Sequence, residues 1–413
     1  MMVKMSTVPE EGWLTAREAA ARLGVKRASL YAYVSRGVLG RHTGPDGRTS
    51  RYDAAEVDAL ARRGRPRRAN GEPVVEVAVA SSITRIPEGS DQRLGHRYRG
   101  RRALALAADH TFEQVAGWVL DGRDEPIELG PALGPEPAEE TAPPAGDVLA
   151  RMRLAVERAA LADPLRQDLS AQSLRASAAR LLRALVDASG PARGPVPDLE
   201  LASGESVRAS AAGRLAVALH PDARPPRWAT GAINAALVLL VDHELATSTL
   251  AARVAASTRA DPYACVVAAL ATLAGPLHGT ASALVRRALL APDPVATLAE
   301  LSGGSGLAGF GHKLYSGIDP RAVALLERVE RAAPAHPARL AGLALTEAVE
   351  HRLAMPPNVD LGLAVLTAAA GLDADAGPVI FAVARTAGWL AHVAEEYQAP
   401  PLRFRARALD VSR

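Results

Sequence analysis

Six short segments combine His, Asp and Arg with backbone breakers: "LLVDHELATST", "AGPLHGTASALV", "GFGHKLYSGIDPRA", "PPNVDLGLAVL", "ARTAGWLAH" and "LRFRARA". Taken singly each has an ordinary explanation, because a His beside Gly or Pro often caps a helix and an Arg usually lies on a solvated face. Taken together they describe a chemistry. Arginines that converge bind carboxylates bidentately, histidines near them donate to a carbonyl oxygen, and an aspartate facing the same pocket acts as a general base. Such a set suits carbon–carbon bond formation between an enolisable thioester and a keto diacid. The base removes a C–H proton while donors stabilise the enolate oxygen and polarise the accepting carbonyl. That reaction requires no metal.

These segments need a scaffold, and the sequence supplies a helical one. Hydrophobic residues make up 48% of the 413, aromatics only 4%, and alanine and leucine dominate, a composition that favours helix. From Val74, "VVEVAVASSITRI" alternates as a strand or two would, and "HRYRGRRALALAADHTFEQVAGWVLDG" then reads as helix. Residues 129–147 are rich in Pro, Ala and Glu and read as a flexible insert. Beyond them, Ala, Leu and Val patterns separated by short Pro or Gly breaks predict a mostly α-helical body of residues 74–413.

The N-terminal end is different. Residues 11–70 hold thirteen Lys or Arg against six Asp or Glu, whereas the whole chain carries only +3, so the basic character belongs to one end. Such a patch suits a polyanion partner. Thr15 with Glu18 predicts a capping box, Ala19, Ala20 and Leu23 give one apolar face, and Gly24 ends a first helix. A second helix over about Lys26–Arg36 follows after a minimal turn, the helix-turn-helix pattern. "GPDGRTSRY" suits a hairpin wing, and Asp53 with Glu56 predicts another capping box that opens a third helix. The expected DNA contacts are Lys26, Arg27, Ser29, Tyr31 and Arg36 on the second helix, and Arg48 and Arg51 on the wing. This unit, 11–66, resembles the winged helix-turn-helix of the MerR and excisionase type, and 67–73 read as a linker.

No run of about 18 apolar residues occurs, so a cytoplasmic protein without membrane contact is expected. The single cysteine, Cys265, excludes an intramolecular disulfide and reads as a small buried residue.

From Val74 onward the chain resembles citrate synthase, the 2-methylcitrate synthases included. "YRG…FEQVAGWVLDG", "GPLHG", "GFGH…DPRA", "NVD" and "ARTAGWLAH" occur in the family's order. The resemblance implies an all-helical large domain, a small domain over roughly 280–375, and a homodimer. It implies condensation of acetyl-CoA or propionyl-CoA with oxaloacetate, with the CoA thioester as co-substrate and no further cofactor. His278 would donate to the thioester oxygen, Asp360 would abstract the proton, and His312 would address the oxaloacetate carbonyl. His243, Arg321 and Arg385 would bind the dicarboxylate, joined by Arg405 from a second copy. The backbone of Leu277, Gly309, Phe310 and Gly311, with Lys313, would lie against CoA. The chain departs from the family pattern at Leu240, where a histidine is usual, at Thr280, Ser282 and Leu353, and at Ser316, where a basic residue commonly meets a CoA phosphate. An alternative follows from the basic module: a transcription regulator whose synthase-like body senses a metabolite.

Overall fold

The structure, a computed structural model, describes residues 12–23, 30, 34, 39–43, 49–63, 78–130, 147–190, 194–275, 278–302 and 306–405. These fall into two compact units, Met1–Ala78 and Val79–Arg413.

In the first unit, strands β1 (Trp13–Thr15), β2 (His42–Thr43) and β3 (Ser50–Asp53) form an antiparallel sheet in the order β1-β3-β2. Helices α1 (Ala16–Leu23) and α2 (Ala54–Arg63) pack with it. The first capping box is present: the Glu18 carboxylate accepts from the Thr15 amide at 2.8 Å, and Thr15 Oγ1 accepts from the Glu18 amide at 3.3 Å. The second is built differently. Asp53 Oδ1 caps α2 through the amides of Ala55 and Glu56, whereas the Glu56 carboxylate takes the N–H of Gly40 and so ties α2 to the chain entering the wing. Ala19, Ala20 and Leu23 are buried as expected, around Tyr52, Val57 and Leu30. Leu30 and Val34, the two described residues of the second helix, are helical.

In the second unit the expected strand near residue 80 is represented, among the described residues, by β4 (Thr84–Arg85) alone. The segment beginning at His96, expected as helix, instead starts with β5 (Arg97–Tyr98) and β6 (Arg101–Arg102) turning back on each other. Gly100, at φ 87, takes the left-handed conformation that this hairpin needs. Helix follows: α3 (Ala103–Asp109), α4 (Phe112–Asp121), α5 (Val148–Leu161) and α6 (Ala171–Ala188). A two-stranded hairpin, β7 (Leu199–Glu200) with β8 (Ser206–Val207), interrupts the series. Then come α7 (Ala211–Ala218), α8 (Arg227–Leu240), α9 (Thr247–Ser257), α10 (Pro262–Leu273), α11 (Ala281–Leu289) and α12 (Pro294–Leu301). The last four are α13 (Pro320–Ala332), α14 (Pro337–Leu353), α15 (Val359–Ala369) and α16 (Ala376–Gln398). Nearly all of the expected insert lies outside the described residues.

Two helices organise the core. α16 is buried on every face through most of its length, from Ala376 to Val393, the pattern of a central helix rather than a surface one. The helices α4, α6, α8, α9 and α10 pack most extensively on it. α15 is apolar apart from its first turn and Thr367, whose hydroxyl is spent on its own helix backbone, and α11, α13 and α14 pack on it. Cys265 is a free, buried thiol in α10. Among the described residues no helix is long and apolar enough to cross a membrane.

Candidate active site

The chain around Gly309 forms the joint that assembles the site. Gly309 and Gly311 have φ of 82° and 69°, and a Cβ on Gly309 would lie 2.7 Å from Val285, so glycine is required there by conformation and by space. This lets Phe310 pair antiparallel with Pro357. The Gly309 carbonyl accepts from the Asn358 amide at 2.9 Å, and the Gly311 amide donates to the Pro356 carbonyl at 2.8 Å. Asn358 then caps α15 by accepting from the Asp360 amide at 2.9 Å, which fixes Asp360 in the first turn. Asp319 caps α13, with Pro320 at the first helical position, and presents Arg321.

Asp319 links the two helix starts. Its carboxylate takes both the Nε and Nη2 groups of Arg321, the latter at 2.8 Å, and also the amide of Val359 at 3.0 Å. All of this is buried, and despite that burial Arg321 holds the Asp319 carboxyl below its ordinary range. Arg321 also stands 3.3 Å, through Nη2, from His312 Nε2. His312 Nδ1 accepts from the amides of Leu314 and Tyr315 at 3.0 and 3.3 Å, so the ring proton resides on Nε2. His312 Nε2–H and the second N–H of Arg321 Nη2, whose first is taken by Asp319, thus stand side by side, an arrangement suited to one oxygen that accepts from both. The His243 ring stands 5.0 Å from His312, centroid to centroid, and its Nε2 is 3.2 Å from Tyr315 Oη.

Arg385, from the middle of α16, is the second buried cation. It donates Nε to the Leu240 carbonyl at 2.9 Å and lies over the Phe381 ring at 4.5 Å. No ion pair joins it to a carboxylate among the described residues. Burial pulls its pKa down to about 10, Asp242 opposing. His278 packs near the same Phe381, at 6.4 Å between centroids, with its Nε2 2.8 Å from Ser248 Oγ. The turn that carries it needs Gly279, whose added Cβ would strike Leu273 at 2.5 Å.

Burial, followed by the nearby arginines, keeps the imidazoles neutral. It takes His278 and His312 down to about 4, and His243 well below its ordinary value. Asp360 goes the other way. A helix N-terminus favours the anion by up to about 1 kcal/mol, and Arg321 and Arg385 favour it further, yet burial wins and raises its pKa to about 6. The cluster is thus two guanidinium cations, three neutral imidazoles and one weakly acidic carboxyl.

The structure brings together His243, His278, His312, Arg321, Asp360 and Arg385 from five sequence segments. It does not bring Arg405, which is exposed and joined to the cluster by no contact among the described residues; its neighbour Arg403 instead pairs with Glu396. The Phe310 ring is buried and Lys313 is exposed. Leu277 lies outside the described residues, as do Lys26, Arg27, Ser29, Tyr31, Arg36 and Arg48. Arg51 sits on β3, paired with Thr15 and His42. Sequence reasoning passed over Ser248, Tyr315 and Asp319, although all three lie inside the segments it singled out. It also missed Gln92, whose amide accepts from the Ser316 amide and hydroxyl at 3.0 Å and donates to the Leu314 carbonyl at 2.7 Å, pinning this loop.

Residues 75–407 match the family model for the citrate synthase C-terminal domain. The chain belongs to the citrate synthase family. Residues 13–65 match a helix-turn-helix domain. Citrate synthase 2 of Bacillus subtilis is 37% identical over 179 residues, 40% of this chain and 47% of that protein. Citrate synthase of Haloferax volcanii is 40% identical over 172 residues, 40% of this chain and 45% of that one. The chain therefore spans rather less than half the length of the curated relatives it matches. Among solved structures, citrate synthase from Thermotoga maritima aligns with a TM-score of 0.63 at 25% identity, over 83% of this chain and 96% of that one. The citrate synthase from Thermoplasma acidophilum, a ternary complex with carboxymethyl coenzyme A and oxaloacetate, aligns with a TM-score of 0.60 over 81% of this chain and 94% of that one. Its 23% identity speaks for the fold.

Proposed function

We propose that the body of this protein condenses an acyl-CoA, acetyl-CoA or propionyl-CoA, with oxaloacetate and water to give citrate or 2-methylcitrate and free CoA. The observation that carries this reading is Arg385, a buried cation with only a backbone carbonyl as its hydrogen-bond partner among the described residues, set near the Arg321–His312 pair of converging donors. Arg385, Arg321 in its pairing with Asp319, and neutral donors gathered together suit a dianion bearing a carbonyl. The Thermoplasma acidophilum citrate synthase forms a ternary complex with oxaloacetate, such a dianion, and carboxymethyl coenzyme A.

In this reading Arg321, Arg385 and His243 hold the carboxylates, and His312 Nε2–H donates to the keto oxygen. With Nε2 accepting from Ser248, His278 carries its proton on Nδ1 and donates to the thioester oxygen. Ionised Asp360 takes a proton from the carbon next to the thioester carbonyl. The resulting enolate carbon attacks the keto carbon, the new alkoxide is protonated from the His312 side, and water then hydrolyses the thioester and releases the thiol. Arg405 of a second copy completes the carboxylate site, so activity requires the dimer. The backbone at 309–311, with Leu277 and Lys313, lies along CoA. Where Ser316 and Leu353 stand in place of basic residues, loss of one charge-assisted phosphate contact weakens CoA binding by about tenfold to a hundredfold.

Thiol release from purified protein tests this, with acetyl-CoA and propionyl-CoA compared side by side. Absence of oxaloacetate-dependent release with both thioesters would refute it. A second reading, DNA binding by a metabolite-sensing regulator, is favoured by the helix-turn-helix match at 13–65 and by the paired β2 and β3 at the base of the wing. A dimeric body would present two such modules to a symmetric site. Failure to shift any fragment of its own promoter at low salt, with and without oxaloacetate, removes that reading.

A further inference from the structure

His96 has no place in the mechanism above, yet it adjoins the same cluster. It is fully buried, and both ring nitrogens lack a hydrogen-bond partner, alone in this respect among the buried described histidines. Its backbone carbonyl accepts from Ala103 across the β5–β6 hairpin, which fixes the residue at the edge of that sheet. The ring stands edge-on to Tyr98 at 4.7 Å and to His243 at 5.4 Å. The Tyr98 hydroxyl in turn donates to the Val238 carbonyl and so anchors this corner to α8. Arg321, Asp319, Asp242 and Arg385 are the charged groups that act on the ring, and burial first, then Arg321, keeps it neutral, with a pKa of about 3.

A neutral imidazole here offers one donor and one acceptor and uses neither. Leaving buried polar atoms unpaired costs their full desolvation, so for packing alone an aliphatic or phenyl side chain would serve the fold better. The polar atoms are explained if a partner arrives with the ligand, and the ligand site lies on the side where His243 stands. We propose that His96 is a positioning residue of the dicarboxylate site: it holds the His243 ring edge-on, and its unused N–H is taken up when the keto diacid binds. This rests on the dicarboxylate reading given under Proposed function.

The experiment uses the full chain. Oxaloacetate binding is measured by calorimetry without acyl-CoA, and steady-state constants are measured for wild type, His96→Leu and His96→Asn. His96→Leu should weaken oxaloacetate binding by about tenfold while the acyl-CoA KM stays within about twofold, and His96→Asn, which keeps a donor and an acceptor, should recover most of the loss. Nitrogen-15 spectra of histidine-labelled wild type, with His96 identified by its disappearance in the Asn variant, should show a ring shift on adding oxaloacetate. An unmoved His96 signal in a wild-type chain that does bind oxaloacetate overturns the inference alone, whether or not the Leu variant folds. Equal oxaloacetate affinity in Leu and wild-type proteins does the same. Wild type that binds no oxaloacetate overturns the dicarboxylate reading first, and this inference with it.

Discussion

Replacing Asp360 with asparagine should remove activity and at the same time stabilise the fold. Burial lifts this carboxyl from 3.8 to about 6, roughly two pKa units, and each unit corresponds to about 1.36 kcal/mol. Because the folded-state pKa is the higher one, the folded chain binds the proton more tightly than the unfolded chain does. That contribution is fully present below about pH 4 and is lost as pH rises through about 6. At neutral pH the wild type therefore bears the cost of an ionised, crowded carboxylate, at most about 3 kcal/mol, less whatever water reaching this partly exposed group relieves. Asp360→Asn has the shape of the neutral form at every pH. Urea unfolding of both proteins from pH 4 to pH 7.5 should show curves that nearly coincide at the acid end. The variant should become progressively more stable up to about pH 6, with a constant gap above. The same variant should lose at least about a hundredfold in thiol release, the lower end for loss of a general base. A stability gap that is independent of pH, or of opposite sign at pH 7, refutes the reasoning.

Three further outcomes follow from the same geometry. Thiol release should fall as pH drops through about 6, because Asp360 takes up its proton there, and a stopped thiol assay across pH 5–8 checks this; His312 and His278, at about 4, remain neutral throughout. Asp319→Asn should cost about 3–5 kcal/mol in urea unfolding, since it strands the buried Arg321 charge. Ser248→Ala removes the hydroxyl that fixes the His278 tautomer and should lower kcat by about tenfold, leaving oxaloacetate affinity unchanged by calorimetry.

The helical body was legible because its helices announce themselves in Ala and Leu periodicity and in Asp, Ser and Pro at their starts, as at Asp261–Pro262 and Asp319–Pro320. The short strands were not. Arg97–Tyr98 and Arg101–Arg102 are two residues each, too short for any alternation to show, and they exist because Gly100 turns the chain between them. The site residues with chemistry of their own, His278, His312, Arg321, Asp360 and Arg385, stood out by type and company. Ser248, Tyr315 and Gln92 did not, since a hydroxyl or an amide gives no sign in sequence of which distant ring or loop it meets. Glu56 shows the same limit: its spacing from Asp53 predicts a capping box, and only the fold reveals that the Gly40 amide claims it.

Asp319 has a consequence for anyone who would redesign this pocket. One carboxylate grips the Arg321 guanidinium and, through Val359, the first turn that carries Asp360. On the proposed reading, acid recognition by Arg321 and proton abstraction by Asp360 therefore share a hinge pin, and a change that moves the first also moves the second. Arg385 hangs instead from the Leu240 carbonyl, on another helix, and acts on Asp360 through its charge. On the proposed reading, recutting the acid site around Arg385 while keeping its charge leaves the Asp319 pin in place, whereas removing that charge would raise the Asp360 pKa further.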